Sequence, residues 1–309
     1  RVLFRYLANL RWEEAFCRFL NDGCNVCIWS KSEVAIGHNG PLCVEMKSPR
    51  LEEKESLQRC ILKDLAFQQQ IVPTSCKNAR FSIKRCAFYG IEASTDGGAI
   101  HLVSNGDFIS KNCLFVKCIT SSAYAGSVYT DVKRYEIDRT CFVRSYSKER
   151  YMAFDLITDD ASCKNRSVTY QCNPFPVGLY YVGLSHGPSF LMKEYNASDS
   201  QIGDRHIITC HSLQGMSTQF HGTESNNTAC CLISAWSENY NLGGTSFDEC
   251  NFIGNKRISS SFPQFIHSHK ATLHFVGSVA VGNNHQVLTG SYGTAKIDIS
   301  GCHFCSNGF

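Results

Sequence analysis

Several features that would assign a function directly are missing from these 309 residues. No apolar run approaches the roughly 18 residues that a membrane-spanning helix needs, so we expect no membrane anchor within this chain. Neither a Gly-x-x-x-x-Gly-Lys-Ser/Thr phosphate loop nor a Gly-x-Ser-x-Gly nucleophile turn occurs. These absences argue against a helical membrane protein, a P-loop nucleotidase and a serine hydrolase of the elbow type.

Concentrated positive charge is missing as well. The chain has 30 Lys and Arg residues against 27 Asp and Glu residues, for a formal net charge of +3. Domains that bind nucleic acid usually gather their basic residues in a patch or stripe, whereas these are scattered. We therefore expect an ordinary solvated surface and no nucleic-acid partner.

A helical apolar stripe is also absent from residues 81–150, where the pattern is that of short strands. Cys86 and Phe88 are two residues apart, so they point to the same face of a strand. Cys113 and Phe115 have the same spacing. The sequence therefore predicts an all-β structure in this region.

Cysteines mark a repeat in these strands. Cys60, Cys86, Cys113 and Cys141 follow one another at intervals of 26, 27 and 28 residues, within similar local sequences. A fixed period of this size indicates stacked units rather than one mixed globular core. Each unit is expected to be a coil of a β-solenoid, with neighbouring coils paired in parallel about 4.8 Å apart.

Short motifs resemble those of a known family. Gly97-Gly98-Ala99-Ile100, with Gly126-Ser127-Val128 as its expected counterpart, resembles the Gly-Gly-Ala-Ile tetrapeptide of polymorphic outer-membrane proteins. Phe252-Ile-Gly-Asn255 and Phe304-Cys-Ser-Asn307 resemble that family's Phe-x-x-Asn tetrapeptide. The resemblance implies a right-handed parallel β-helix of the pectin-lyase-like type and a cell-surface context. The chain departs from the family in having few copies of either motif and many more cysteines.

The predicted architecture is a right-handed parallel β-helix of about ten to twelve coils. Residues 24–309 are expected to form a single β-helix domain with loop insertions around 151–245. Two polar stretches, Asp159–Asn165 and Tyr195–Asp204, are the predicted loops. Residues 1–23 fit either a helix that caps the open end or a first coil.

The repeat becomes regular again near the end of the chain. Cys250, Ser278 and Cys302 are separated by 28 and 24 residues, with Ser278 in the cysteine place. Same-face spacing predicts three buried pairs of a phenylalanine beside a cysteine: Cys86 with Phe88, Cys113 with Phe115, and Cys250 with Phe252.

Eighteen cysteines permit two interpretations. An even number permits full pairing in an oxidising compartment, whereas a cysteine at an inward repeat position can be a small buried hydrophobe. Equivalent residues on stacked parallel strands have nearly parallel Cα–Cβ vectors, which leaves Cβ atoms about 4.8 Å apart, against about 3.8 Å in a disulfide. We therefore expect Cys60, Cys86, Cys113 and Cys141 to form a mostly unpaired inward ladder. Substantial disulfide pairing is the alternative.

The pectin-lyase-like resemblance implies two kinds of catalytic site. Hydrolases of this type need clustered aspartates, and Asp159-Asp160 is the one adjacent pair, without the family's Asn-x-Asp, Gly-His-Gly and Arg-x-Lys partners. Lyases need stacked acids for calcium and an arginine base. Asp131 and Asp155 with Arg134 or Arg150 allow such a set, but the spacing does not require it. We therefore assign no catalytic residue.

Metal sites are also not predicted. Cys24-Asn-Val-Cys27 and Cys302-His-Phe-Cys305 have the inner spacing of zinc ligands, but the ends of a solenoid are too far apart to share one ion. Two histidine pairs lack a third ligand: His206 with His211, and His267 with His269. We assign no metal-ligating or cofactor-binding residue and expect no cofactor.

The remaining observations concern role and location. Asn165, Asn196 and Asn226 begin glycosylation acceptor triplets in the region expected to be rich in loops. We expect a non-enzymatic extracellular or cell-surface scaffold for adhesion or for binding a protein or glycan, by analogy of fold. One alternative is a polysaccharide lyase or hydrolase, favoured if three or more carboxylates, or carboxylates with arginine, converge on one outer face. Another is an intracellular repeat scaffold with reduced thiols.

Overall fold

The chain divides into two compact units, Arg1–Glu52 and Glu53–Phe309. A computed structural model describes parts of the second unit: residues 59–72, 80–121, 124–149, 153–158, 162–170, 172, 181–186, 189–200, 206–212, 218–225, 228–229, 231–237, 244–257, 264–269, 272–284, 287–292 and 296–305. The expected cap or first coil over 1–23 lies outside the described residues. The boundaries of the 24–309 domain stay a prediction.

The described residues are all β, with no helix among them. The strands are β1 (Arg59–Lys63), β2 (Ala66–Phe67), β3 (Arg80–Lys84), β4 (Ala87–Tyr89), β5 (Glu92–Ala93), β6 (Ile100–Lys111), β7 (Leu114–Val116), β8 (Ile119–Thr120), β9 (Val128–Val143), β10 (Tyr146–Ser147), β11 (Phe154–Ile157), β12 (Ser162–Tyr170), β13 (Tyr181–His186), β14 (Ser189–Ser198), β15 (His206–Ser212), β16 (Thr218–Ser225), β17 (Thr228–Ala229), β18 (Cys231–Ser237), β19 (Gly244–Asp248), β20 (Asn251–Ile253), β21 (Lys256–Arg257), β22 (Gln264–His269), β23 (Thr272–Val276), β24 (Val279–Val281), β25 (Val287–Tyr292), β26 (Ile297–Ser300) and β27 (His303–Cys305).

These strands form a parallel β-solenoid, as predicted. About four turns follow one another between Arg59 and Ser147, beginning with β1, β3, β6 and β9, which pair in parallel in that order. The same ladder continues through β12, β14, β16, β19, β23 and β26. The handedness and the total of ten to twelve coils stay predictions.

A column of phenylalanine rings fills the core of the first turns. Phe67, Phe88, Phe115 and Phe142 occupy the same register position and are buried. Their ring centroids lie 4.8, 4.6 and 5.2 Å apart in stacked geometry. Each ring removes a large apolar area from water and contacts its neighbours face to face. The predicted burial of Phe88, Phe115 and Phe252 is confirmed.

The chain turns a corner just before each of these core strands. The corner residue has a positive φ, 51° at Arg85, 53° at Asn112 and 48° at Arg139. The residue that follows points inward and donates a hydrogen bond to the carbonyl two residues earlier: Cys86 Sγ to Lys84 O at 3.4 Å, Cys113 Sγ to Lys111 O at 3.3 Å, and Thr140 Oγ1 to Asp138 O at 3.3 Å. A short side chain with a weak or strong donor therefore suits this position, which explains why cysteine recurs there.

The predicted four-cysteine ladder is wrong at Cys141. Cys141 pairs with Leu114, so Thr140 occupies the turn equivalent to Cys113. The register shifts by one residue between β6 and β9, so the stacked phenylalanines are 27 residues apart whereas these cysteines are 28 apart. Cys141 is nonetheless buried and carries no disulfide, so the predicted inward thiol is confirmed there, whereas its predicted stacking on Cys113 is wrong.

The ladder is also wrong at Cys60, which pairs with Phe81 rather than with Cys86. In the first turn Asp64 is the corner residue, with a φ of 58°, and Leu65 follows it in the place of Cys86. The Leu65 carbonyl accepts from the Ala87 amide at 2.9 Å. The first turn is shorter than the rest, since Phe67 precedes Phe88 by only 21 residues.

The thiol interpretation is confirmed where the ladder does exist. Cys86 and Cys113 are buried and carry no disulfide. A second inward column contains Cys118, which is a thiol as well, and Ser145, whose Oγ accepts from the Cys118 amide at 3.1 Å. Burial raises the pKa of Cys118 to about 12 and raises that of Cys113, so these thiols stay protonated at neutral pH.

The predicted loops in the middle of the chain are partly strands. Asn165 lies in β12, and Tyr195 and Asn196 lie in β14, so two glycosylation acceptors lie within strands rather than loops. Tyr195 is fully buried, and its hydroxyl lies 2.9 Å from Thr169 Oγ1. Thr169 takes the register place of Phe142, and Tyr195 packs edge-on against Phe154 with ring centroids 6.4 Å apart. Asn226 lies outside the described residues.

The Phe-x-x-Asn motif has a clear structural role in the later turns. Gly254 forms the corner with a φ of 63°, and Asn255 then points into the core. The Asn255 side-chain amide donates to Asn283 Oδ1 at 2.8 Å, and Asn283 Nδ2 donates to Phe252 O at 3.0 Å. Two buried amides thus satisfy each other and the backbone between neighbouring turns.

Candidate ligand-binding face

Three polar side chains from successive turns share one register column on the outer side of the solenoid. His101 on β6 pairs with Tyr129 on β9, which pairs with Asp155 on β11. Alternate residues of a strand face opposite ways, and the neighbours Ile100 and Val128 are fully buried in the core. The His101 and Tyr129 side chains therefore point outward from the core, whereas Asp155 is covered and only 1% exposed.

Aromatic rings gather at this column. The His101 and Tyr129 ring centroids lie 5.2 Å apart with the planes inclined at 36°. Tyr124 adds a third ring, 5.8 Å from that of Tyr129 and inclined at 47°. All three side chains are half-buried, so they are held by their surroundings and still reach solvent.

A tight corner at the adjacent glycines Gly97 and Gly98 allows this grouping. Gly97 has a φ of 64°, which L side chains rarely adopt. A Cβ on Gly98 would lie 2.1 Å from Gly126 O, so the backbones of neighbouring turns approach closely here. Ile100 pairs with Val128, so Gly126 is the counterpart of Gly98. The sequence motifs had aligned Gly126 with Gly97, one residue away.

Hydrogen bonds fix the loop before this corner against the rings. Asp96 Oδ1 accepts from the Tyr124 amide at 3.0 Å, and the Asp96 carbonyl lies 3.1 Å from His101 Nδ1. A carbonyl can only accept, so Nδ1 carries the hydrogen and Nε2 of the neutral ring is an acceptor. Gln70 from the previous turn donates to the carbonyls of Asp96 and Gly97 at 2.9 and 2.8 Å.

Burial and nearby negative charge both act on the Tyr129 hydroxyl. Burial raises the pKa of Tyr129 to about 12, with further contributions from the charges of Asp155, Asp131 and Asp96 and from Tyr124. The hydroxyl therefore stays protonated at physiological pH and acts as a hydrogen-bond donor. The structure thus brings together Asp131 and Asp155, two acids considered for a lyase site, and adds Asp96, which sequence reasoning missed.

Arg134, one of the two arginines considered for a lyase site, is paired with another carboxylate. Arg134 Nε and Nη2 donate to Asp107 Oδ1 and Oδ2 at 3.0 and 3.2 Å, and Arg80 Nη2 reaches the same carboxylate at 3.1 Å. Burial alone would raise the pKa of Asp107, but the hydrogen bonds from Arg134 and Arg80 outweigh it and hold the pKa below its usual range. Arg150 and the Asp159-Asp160 pair lie outside the described residues.

Metal binding finds no support in the part of the chain that is described, where no three His, Cys, Asp or Glu side chains group around one point. Cys302 Sγ donates to Ser300 O at 3.3 Å, whereas Cys305 Sγ is exposed and lies 2.8 Å from His303 Nε2. The two sulfurs therefore have separate partners. Cys24 and Cys27 fall outside the described residues.

Backbone register extends the column that contains Asp131 along the solenoid. Residues in successive turns occupy this position in the order Asp131, Ile157, His186, His211, Trp236, His269 and Tyr292. His211 and His269 come from different predicted histidine pairs and stand two turns apart in this column. Sequence reasoning missed the column because its intervals vary between 23 and 33 residues.

No helix among the described residues is long and apolar enough to cross a membrane. Compared with known proteins, the chain matches no family model, no curated sequence and no solved structure. The resemblance to polymorphic outer-membrane proteins therefore rests on the short motifs quoted above and on the solenoid fold.

Proposed function

We propose that this chain is a non-enzymatic binding scaffold, displayed at the cell surface or secreted, that holds a protein or glycan ligand on its outer face. In this proposal the solenoid is a right-handed β-helix of the pectin-lyase-like type, akin to polymorphic outer-membrane proteins. The observation that carries the proposal is the group of half-buried rings, His101, Tyr124 and Tyr129, on one outer column.

The chemistry of the group suits recognition. Ring faces stack on sugar rings or on apolar and cationic side chains, and a few fixed polar groups then set the orientation. The Tyr129 hydroxyl supplies a donor, while His101 Nε2 and the nearby carboxylates supply acceptors. Because the backbone around Asp96 is hydrogen-bonded in place, little order is lost when a ligand binds.

A polysaccharide lyase or hydrolase is the second candidate, and one observation favours it. The charges of Asp155, Asp131 and Asp96 all raise the pKa of Tyr129, but the Asp155 side chain is buried, so the condition of three carboxylates on one outer face is met only in part. Two observations weigh against it. A tyrosine with a pKa of about 12 is a poor general base at neutral pH, and Arg134 is paired with Asp107. Local negative charge also repels an acidic polysaccharide.

The thiols bear on location. Buried cysteines such as Cys86 and Cys113 need no oxidising compartment, so an intracellular scaffold has this observation in its favour. Immunolabelling of intact and permeabilised cells separates the two locations. Labelling only after permeabilisation contradicts a surface role.

The binding role is tested on panels of glycans and host-surface proteins. We expect at least one ligand whose affinity falls ten-fold or more in Tyr129→Ala, because the central ring is lost. Tyr89→Ala is the matched control, since Tyr89 is an exposed tyrosine in β4, away from this column, and the affinity should not change. Equal binding by both variants would contradict the assignment of this face.

The same panel separates scaffold from enzyme. Each glycan is incubated with the chain, and new reducing ends and unsaturated sugars are measured. We expect binding without turnover. Release of product that is abolished by Asp155→Asn but not by Asp107→Asn would establish the enzyme and overturn the scaffold.

A further inference from the structure

The rings on the candidate binding face are set at angles to one another. The His101 and Tyr129 planes are inclined at 36°, and the Tyr124 and Tyr129 planes at 47°. All three residues are half-buried, so part of each ring stays accessible. The face of an aromatic ring is electrically negative and attracts a cation placed within about 6 Å of the ring centre. The rings therefore favour a positively charged group over a negatively charged one.

Carboxylates lie beside these rings. Asp155 follows Tyr129 in the same register column, and Asp131 lies two residues along β9 on the same outer face. Asp96 Oδ1 accepts from the Tyr124 amide at 3.0 Å. After burial itself, the charges of these three carboxylates do most to raise the pKa of Tyr129. A cation at the rings is thus attracted by fixed negative charge as well as by the ring faces.

The arrangement suits an organic cation better than a metal ion. A bound Ca²⁺ or Mg²⁺ needs about six or more oxygen ligands around one point. Among the residues that the structure describes, no three His, Cys, Asp or Glu side chains converge in that way. A guanidinium group has different needs, because its flat face stacks on an aromatic ring while the N–H groups at its edge donate to carboxylates.

One positive charge stands on the same face. Lys133 follows Asp131 by two residues on β9, so both side chains face outward, and Lys133 is exposed. Lys133 is four residues from Tyr129, which in an extended strand is about 13 Å. That distance exceeds the Debye length of about 8 Å at physiological ionic strength. At the rings, the charge of Lys133 is therefore screened more strongly than that of Asp131.

We propose that this face captures an arginine side chain of a protein ligand, with the guanidinium stacked on the Tyr129 ring and donating to Asp131. The inference rests on the proposed function and narrows it, because it names a protein rather than a glycan as the ligand. It also names positive charge as the property that the face recognises. A neutral glycan stacks on ring faces too, and its binding is the competing outcome of the test.

Ligand-observed NMR titrations of the 309-residue chain test the charge. The probe is N-acetyl-arginine methylamide, and its citrulline analogue is the matched control, since it has nearly the same length and planar shape without the charge. We expect the arginine probe to bind about ten-fold more tightly or better, because only a cation gains from the ring faces and the carboxylates. Added salt should weaken its binding. Methyl glycosides of neutral sugars form the third set of probes.

Variants locate the contact. Tyr129→Ala should weaken binding of the arginine probe about ten-fold or more. Asp131→Asn should weaken it about three-fold, because one nearby charge is lost. Lys133→Gln should strengthen it at low salt, where screening is weak. Asp64→Asn is the control and should have no effect: Asp64 is an exposed acid just after β1, which stacks through β3 on the half of β6 away from His101.

The outcomes separate this inference from the proposed function. Circular dichroism first checks that each variant is folded. Equal binding of the arginine and citrulline probes, no detectable binding of the arginine probe, or an unchanged affinity in Asp131→Asn would overturn the inference. Tighter binding of a neutral glycoside would overturn it in favour of a glycan. In each of these cases a panel ligand that still depends on Tyr129 would leave the binding face itself in place. Both proposals fail if no ligand depends on Tyr129.

Discussion

The early turns, Arg59–Ser147, and the late turns, Gly244–Cys305, share one backbone arrangement but have different core side chains. In the early turns stacked rings such as Phe88 and Phe115 occupy one column. In the late turns the equivalent column alternates ring and methyl, since Phe252 pairs with Ala280. A pair of buried asparagines supplies the cohesion there. The corner with positive φ and the inward residue after it are common to both regions, so the corner defines the repeat and the core side chain does not.

Removing one ring of the early turns should lower stability more than any other change considered. Phe115→Ala takes out the ring between Phe88 and Phe142 and leaves a cavity bounded by both. We expect the free energy of unfolding to fall by about 3–5 kcal/mol. Urea denaturation followed by fluorescence or circular dichroism measures it. Tyr89→Ala, at an exposed aromatic position on β4, is the control and should change stability by less than about 1 kcal/mol. Equal losses in both variants would refute the ring column.

Breaking the asparagine ladder should come next. Asn283→Ala removes the acceptor of two hydrogen bonds from Asn255 and the donor to Phe252 O. Buried amides left without partners should lower the free energy of unfolding by about 1–3 kcal/mol. Asn284→Ala, in which the neighbouring exposed asparagine is changed, should have an effect within about 0.5 kcal/mol. Thermal melts of both variants measure the difference.

A smaller effect is expected for the corner thiol. Cys113→Ala loses little volume and a weak hydrogen bond to Lys111 O, so it should cost about 1 kcal/mol. Cys113→Leu should cost more, because Cys113 is buried in the stack, unlike the part-exposed Leu65 of the first turn, and a larger side chain would overpack it. Cys113→Thr reproduces the residue found at Thr140 and should be the mildest of the three. If the leucine variant were the most stable, the corner would not be tightly packed.

The smallest predicted effect is electrostatic and depends on pH. The pKa of Asp107 is lowered in the folded chain, where Arg80 and Arg134 outweigh the effect of burial. A lowered folded pKa stabilises the fold above the unfolded value of about 3.9, and the benefit is lost as pH falls through the folded pKa. Asp107→Asn should therefore be less stable than the unchanged chain at pH 7, by about 0.2–1 kcal/mol, and the difference should shrink as the pH falls below the unfolded pKa and through the lowered folded pKa. A gap that widens in acid would contradict the sign.

Much of the fold could be predicted from the sequence because identical residues recur at stacked positions. The match of Phe88 with Phe115 gives the parallel register directly. The predicted register was wrong at Cys60 and Cys141, because these cysteines were assumed to be equivalent to Cys86 and Cys113. The corner accepts Leu65 and Thr140 as well as cysteine, so a cysteine elsewhere in the turn is not a marker. The phenylalanines were the better guide, because Phe67, Phe88, Phe115 and Phe142 keep one register position through four turns.

The candidate binding face could be predicted only in part. Asp131 and Asp155 were considered together, but their neighbours Asp96 and Tyr124 reach the site through a glycine corner whose close approach no residue count reveals. Gly126 aligns with Gly98 because paired residues of β6 and β9 are 28 positions apart as far as Ser104. From Asp107 onward they are 27 positions apart. A shift of one residue decides which side chains share a face, so the composition of a face is harder to predict than that of the core.

The corners also make the solenoid tolerant of changes in chain length. Successive core phenylalanines are 21 residues apart in one turn and 27 in the next, yet Phe67, Phe88 and Phe115 still stack. Each corner restarts the register, so residues gained or lost between corners do not shift the following strand. Insertions and deletions during evolution, or loops grafted by design, can therefore remodel the outside of one turn while the turns on either side keep their pairing.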